Sequence, residues 1–218
     1  MVFRTLIVLI VLIGFAAVLN GPLIAAEPGS KEAAVPAEEY PVYDEVVRSK
    51  FLTSGTTLVV IERMTTTQML PESQILPTAT FFEERGFFDS RLPRDLILDF
   101  LFKNQRPARL GSLFGFGVPY RFISGDGRPE AEAKVHEAPS GRLVGLVQDA
   151  KSIDRLAFSR VGFSGRLDQA LVYVSNDRPD GSGAGFLVWL RTEGTQWTIL
   201  DTEVVWIARP EPRSADRP

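Results

Sequence analysis

The chain has 218 residues, of which 44% are hydrophobic and 23% are charged, a composition typical of a globular protein. Its formal net charge is -3, so it has no excess of basic residues to hold nucleic acid or an anionic membrane, and nucleic acid is not an expected partner. With no cysteine and one histidine, the sequence excludes disulfides, thiol catalysis and lipid attachment at cysteine, and we expect neither a metal ion nor a cofactor.

The N-terminus has the pattern of a secretory signal peptide. Arg4 supplies a positive charge, residues 6–19 are apolar or small, and a helix-breaking Asn-Gly-Pro precedes two alanines that suit signal peptidase. The alternative is an uncleaved anchor in the inner membrane, because residues 5–26 are nearly long enough to cross a bilayer. The sequence therefore predicts a signal peptide over 1–26 and a periplasmic or secreted protein, which contacts a membrane only if that segment is retained.

Two polar segments flank the part of the chain that we expect to fold. Residues 27–39 are rich in Ala, Pro and Glu without apolar periodicity, which predicts a disordered linker. Residues 209–218 contain three prolines and predict a disordered tail. A single domain is therefore expected over 40–208.

The first part of this domain contains the predicted helices. In chain order, we predict a helix over 40–52, a strand over 56–63, a short helical turn over 81–85, a helix over 92–104 and a strand over 118–124. The helix over 92–104 has the strongest pattern, since Pro93 suits its first turn and Asn104 can end it. The polar insertion over 125–142, which contains His136, gives no clear pattern.

The last third of the domain predicts an antiparallel β-meander. Four β-prone segments occupy 155–163, 169–176, 185–193 and 196–208, and turn residues separate them. The stretch "NDRPDGSGAGF" over 176–186 is predicted to be a hairpin loop, because a strand follows its glycines where a phosphate site would need a helix. The order of elements predicts an α+β fold, with N-terminal helices packed on one face of a curved antiparallel sheet that ends in the C-terminal meander.

The meander also resembles a known pattern. The segments "FSRVGF", "ALVY", "GSGAGF" and "VVWI" follow one another over 157–207. This succession of a Ser-x-Val-Gly-Phe strand, an Ala-Leu-Val-Tyr strand, a Gly-x-Gly hairpin and a Trp-Ile strand resembles a family of uncharacterised exported bacterial proteins. The order of helices and meander is similar to the cone-shaped sheets of nuclear transport factor-like and cystatin-like domains. Neither resemblance implies a catalytic residue.

The sequence contains only weak signatures of catalysis. Ser164 lies in "GFSGRL", but the G-x-S-x-G motif requires glycine where Arg166 stands, and the only histidine lies in the polar insertion. Asp95 and Asp99 are spaced i, i+4 on one helix and could act as an acid–base pair, although a solvated helix face explains the same spacing. We therefore assign no catalytic residue from the sequence.

Aromatic residues are concentrated in the middle third of the chain, and most of them should lie in the core. Any that lie on the concave face of the sheet would form an apolar pocket or a surface for a partner. The candidate binding residues of this kind are Phe114, Phe116, Tyr120 and Phe122. The sequence thus predicts a non-enzymatic exported domain that binds a small apolar ligand or an envelope protein. The alternative is a hydrolase that uses Asp95 and Asp99 or Ser164.

Overall fold

The computed structural model of the protein describes residues 32–71, 76–125, 152–178 and 180–210. The predicted signal peptide, the polar insertion beyond Gly125 with His136, and the predicted tail from residue 211 onward lie outside the described residues. The helices are α1 (Tyr40–Val46), α2 (Ala79–Arg85) and α3 (Arg94–Lys103). The strands are β1 (Leu58–Glu62), β2 (Tyr120–Ile123), β3 (Ser152–Phe158), β4 (Gly162–Phe163), β5 (Gln169–Asp177), β6 (Gly183–Glu193) and β7 (Gln196–Ala208).

These strands form one mixed sheet whose order is β2-β1-β3-β5-β6-β7, with β4 also paired to β5. The α+β class and the C-terminal meander of β5, β6 and β7 are confirmed, since each consecutive pair in the meander is antiparallel. The sheet is not antiparallel throughout, because β1 is parallel to both β2 and β3. Parallel neighbours require long crossover connections, and here α2 and α3 lie in the connection from β1 to β2.

The strand predicted over 155–163 is interrupted between β3 and β4. Here the Ser159 backbone N–H donates to the Tyr173 carbonyl (2.9 Å), but the Tyr173 N–H donates to the Ser159 side-chain Oγ (2.9 Å). A hydroxyl therefore takes the position of a main-chain carbonyl, and the regular ladder stops. The connection from Ser159 to Val161 is consequently free to make other contacts.

Helices cover both faces of the sheet. Along β5, Leu171 and Tyr173 pack with α2 and α3, whereas Ala170, Val172 and Val174 pack with α1. Successive side chains of a strand point to opposite faces, so α1 lies on one side and α2 with α3 on the other. The prediction that the helices share one face is therefore wrong in this respect. The physical reason is visible in β5 itself, because both of its faces are apolar and both need to be covered.

Part of the predicted linker belongs to the fold. From Glu32 onward the chain forms one structural unit with the rest of the domain. Ala34 forms a parallel bridge with Arg109, the side chain of Val35 is buried, and Glu39 is only 1% exposed. Composition alone indicates a linker here because the partners of this segment lie far away along the chain.

A short α3 helix is held closely against β4. Asn104 is its C-cap residue, as predicted, whereas Pro93 is the N-cap residue and so precedes the first turn in which it was expected. The Asn104 side chain donates to the carbonyls of Phe100 (2.8 Å) and Arg160 (3.0 Å) and accepts from the Arg160 N–H (2.8 Å). The side chain that ends the helix therefore also fixes the connection between β3 and β4.

The connection between α2 and α3 contains a left-handed turn. Phe88, Asp89 and Ser90 have φ values of 54°, 55° and 59°, a conformation that costs about 1–2 kcal/mol for each residue other than glycine. The Phe88 N–H donates to the side chain of Glu203 on β7, and the Phe88 ring packs edge-on against Trp189. These contacts with the meander offset the strain and seat the connection on the sheet.

All four tyrosines of the chain should resist ionisation in the folded state. They are Tyr40, Tyr43, Tyr120 and Tyr173, all of them buried. Burial raises the pKa of each phenol above 10.0, and that of Tyr173 to about 12. The unfolded phenols ionise near pH 10, while the folded ones stay protonated, so stability should fall as pH rises from about 10 towards 12.

A pH titration that records phenolate absorbance and far-ultraviolet circular dichroism together tests this prediction. We expect the two signals to change in one step, because phenolate forms only as the chain unfolds. Phenolate absorbance that develops near pH 10 with the circular dichroism unchanged would contradict it.

Candidate binding cleft

The four aromatic residues predicted to bind a ligand are brought together, but inside the core. Phe116, Tyr120 and Phe122 are each less than 5% exposed, and the half-buried Phe114 lies among them, with its ring centroid 5.2 Å from that of Tyr120. The rings continue into those of α1. These rings therefore pack α1 against the sheet. None of the four residues lines the polar cavity or the cavity at the hairpin between β5 and β6.

The two carboxylates of α3 act as acceptors for main-chain groups of the β4 region. Asp99 accepts from the Phe163 N–H (2.7 Å) and pairs with Lys103 (2.8 Å), and Asp95 accepts from the Gly165 N–H (2.7 Å). The hydrogen bond from Gly165 lowers the pKa of Asp95, which keeps this carboxylate ionised rather than available as an acid. These contacts favour a positioning role for both side chains.

Ser164 closes the turn between β4 and β5. Its hydroxyl donates to Asp168 (2.7 Å) and accepts from the Gln169 N–H (3.1 Å), and the residue is 5% exposed. A nucleophilic serine needs a base that can remove its proton and a path for the substrate. The observed contacts instead tie the hydroxyl to its own turn.

A polar cavity lies on the sheet face that carries α2 and α3. It has a volume of about 310 Å³ and is called the polar cleft below. Its lining residues are Glu62, Thr66, Gln68, Leu70, Pro71, Arg155, Ala157, Tyr173, Ser175, Asp177 and Trp206. The floor is formed by β3, β5 and β7, and one wall is formed by the segment that follows β1.

Strand alternation and register assemble the floor of the polar cleft. Tyr173, Ser175 and Asp177 are alternate residues of β5 and therefore share one face. The register with β3 places Arg155 opposite Asp177 and Ala157 opposite Ser175. Charged and hydroxyl groups thus occupy the end of the strand face that Leu171 continues into the core.

Two glycines make room for an indole ring in the polar cleft. A Cβ at Gly185 would lie 2.1 Å from Trp206 Nε1, and a Cβ at Gly183 would lie 3.1 Å from Trp206 Cη2. The indole therefore occupies the space that both glycines leave on this face of the sheet. Trp206 Nε1 donates to the hydroxyl of Tyr173 (2.7 Å), which fixes the ring in this position.

The charged side chains that line the polar cleft have an excess of negative charge. Arg155 is hydrogen-bonded and ion-paired to Glu62, so these two charges compensate each other. Asp177 has no hydrogen-bond or ion-pair partner among the described residues. Burial raises the pKa of Asp177, and the attraction of Arg155 opposes this only in part. The polar cleft therefore contains one partly desolvated carboxylate that no neighbour neutralises.

Sequence reasoning missed the residues that define this site. Trp206 belongs to the Trp-Ile strand of the meander and Asp177 to the hairpin stretch, but no motif joins the two, and their proximity depends on the register between β5, β6 and β7. One signal was available, because the Gly-x-Gly at the start of β6 leaves space that a large side chain on a neighbouring strand can fill.

A second cavity of about 500 Å³ lies at the hairpin between β5 and β6. The hairpin predicted over 176–186 is confirmed, and Gly181 takes the positive φ of 77° that its turn requires. The loop forms one rim of the cavity, whose lining includes Lys50, Arg178 and Arg209 together with the rings of Phe51 and Phe186. This cavity is therefore partly apolar and has basic residues at its edge.

The described residues contain no group of three or more His, Asp or Glu side chains arranged to hold a metal ion. In the same part of the chain, no helix has both the length and the hydrophobicity to cross a membrane. Comparison with known proteins finds no family model, no characterised protein and no solved structure with significant similarity to this chain. The resemblance to exported bacterial proteins and to cone-shaped domains therefore stays a prediction.

Proposed function

We propose that this chain is an exported, non-enzymatic binding domain that holds a small polar ligand in the polar cleft. The observation that carries the proposal is that two side chains line one cavity: the Asp177 carboxylate, which has no hydrogen-bond or ion-pair partner among the described residues, and the half-buried indole of Trp206. Small-molecule sites are typically concave and combine apolar surface with a few polar groups that orient the ligand. The aromatic residues first expected to bind a ligand support this less well, because they are packed against each other in the core.

The contacts of the candidate catalytic residues support a binding role over a hydrolase. Asp95 and Asp99 each accept a hydrogen bond from a main-chain N–H of the β4 region, and the Ser164 hydroxyl accepts one from the N–H of Gln169 at the start of β5. Among the described residues, two carboxylates line the polar cleft, Glu62 and Asp177, and Glu62 is ion-paired to Arg155. Asp177 is therefore the one of these two that is available to a ligand. Hydrolysis by paired carboxylates needs two that are available to the substrate.

Export is proposed from the charge and hydrophobicity pattern of residues 1–26. N-terminal sequencing of the protein recovered from its producing cells tests it. A mature chain that starts at Glu27 would support export by a cleaved signal peptide, and a retained N-terminus would favour the membrane-anchored alternative.

A substitution that fills the polar cleft from its rim tests the binding function. Gln68 lines the cleft yet is exposed, so Gln68→Trp should place an indole across the opening without disturbing the core. Gln196→Trp is the matched control, because Gln196 is also an exposed glutamine but lies at the start of β7, outside the cleft lining.

We expect titration calorimetry with a panel of small cations, anions and neutral polyols to find a ligand for the wild-type chain. Gln68→Trp should weaken its binding by about tenfold or more, equivalent to about 1.4 kcal/mol, and Gln196→Trp should leave binding unchanged. A panel without any ligand, or equal affinity in both variants, would contradict the proposal.

A further inference from the structure

We infer that the ligand of the polar cleft is a small organic cation, in which an ammonium group is attached to a short hydrocarbon body. This inference rests on the proposed function and names the class of ligand for the same site. Charge, the position of the indole and the size of the cavity each support it.

The charge of the lining residues selects against anions. The ionisable groups that face Asp177 in the cleft are Arg155 from β3, Glu62 from β1 and Tyr173 from β5 itself. Arg155 and Glu62 compensate each other and Tyr173 is neutral, so the net charge of the lining is that of the Asp177 carboxylate. A partly buried carboxylate without a partner is unfavourable, and a bound cation removes this cost, whereas a bound anion increases it.

The indole lies where it can contact the same cation. Asp177 Oδ1 would lie 3.2 Å, and Trp206 Cη2 3.1 Å, from a Cβ placed at Gly183. The carboxylate and the ring therefore both border the space that the glycine leaves. An ammonium group attracted to the carboxylate can thus lie against the negative face of the ring, and tryptophan is the aromatic residue that binds cations most strongly.

The volume and the wall of the cleft suit a short organic body rather than a metal ion. A cavity of about 310 Å³ is at the lower end of the range for small-molecule sites. Leu70 and Pro71 form an apolar wall against which methyl or methylene groups can pack. The hydroxyls of Thr66 and Ser175 lie in the same cleft and can accept hydrogen bonds from N–H groups of a ligand.

The test uses pairs of ligands that differ in charge but hardly in shape. Choline is compared with dimethylbutanol, its neutral carbon analogue, and propylammonium with propanol, by titration calorimetry on the mature chain. We expect at least one cation of the two pairs to bind, and its neutral analogue to bind at least about tenfold more weakly. Binding of the cation should also weaken as pH is lowered through the raised pKa of Asp177, because the protonated carboxyl has no charge.

Two substitutions distinguish the effect of the Asp177 charge on binding from an effect on the fold. Asp177→Asn keeps the shape of the side chain and should weaken cation binding about tenfold or more, with an unchanged circular dichroism spectrum. Asp89→Asn is the control, because that carboxylate is 90% exposed and lies in the connection before α3, away from the cleft lining. It should leave binding unchanged.

The outcomes distinguish this inference from the proposed function. Suppose that neither cation binds, but that an anion or a polyol does and Gln68→Trp prevents its binding. The binding function then stands, and the ligand class proposed here is wrong. Equal affinity of wild type and Asp177→Asn for the cation would also overturn the inference. If no compound binds, both the inference and the proposed function fail.

Discussion

Replacing Glu39 with glutamine should lower the free energy of unfolding by about 3 kcal/mol, because it leaves a buried guanidinium without its counter-charge. The Glu39 carboxylate accepts from Arg160 at 2.6, 2.9 and 3.1 Å and from the Val161 N–H at 2.8 Å. The side chain of Arg160 is only 13% exposed, so water cannot replace the lost charge. Burial alone would lower the pKa of Arg160, yet the hydrogen bond and charge of Glu39 raise it overall.

The adjacent glutamate provides the control for this substitution. Glu38 is exposed, so Glu38→Gln should change the unfolding free energy by less than about 0.5 kcal/mol. Urea denaturation of the two variants measures both effects. Equal stability of Glu39→Gln and Glu38→Gln would show that the buried ion pair does not stabilise the fold.

Substitution of Gly162 with alanine should destabilise the protein by about 2–3 kcal/mol, because a methyl group at this position would enter the α3 helix. The added Cβ would lie 2.7 Å from the Cα and from the N of Phe100, and 2.6 Å from its Cβ. Main-chain atoms in the middle of a helix cannot move independently, so α3 as a whole would have to shift away from β4.

Gly125 is the matched position for this test. A Cβ there would have no neighbour within 4 Å among the described residues, and Gly125→Ala should therefore leave stability nearly unchanged. Thermal or urea unfolding of both variants measures the difference. Similar stability of the two would mean that α3 can be displaced from β4 at little cost.

The parts of the fold that were predicted are those with a local physical cause. Helix α3 was predicted because Pro93 and Asn104 mark its ends and apolar residues repeat at helical spacing between them. The meander was predicted because β-prone segments alternate with turn residues, and neighbouring strands joined by short turns are antiparallel. Both patterns are contained within short stretches of the chain.

The parts that were missed depend on residues far apart in the sequence. The parallel pairing of β1 requires long crossover connections, and the sequence of the strand does not show whether its neighbours are parallel or antiparallel. The segment before α1 was predicted to be a linker because nothing near Glu39 shows that Arg160 is its partner. Trp206 and Asp177 likewise form a candidate site only once the strand register is known. The sequence predicted aromatic binding residues from their abundance, and abundance does not distinguish a core from a cleft.

The contact between Glu39 and Arg160 joins residues that are 121 positions apart, and this separation has a consequence for how the chain folds during synthesis. Helix α1 packs against strands β3 and β7, which the ribosome adds only after it has made most of the chain. Folding dominated by such distant contacts is slow, since large loops must close before their contacts stabilise anything. Helix α1 of the emerging chain therefore lacks these two strands until most of the protein has been made.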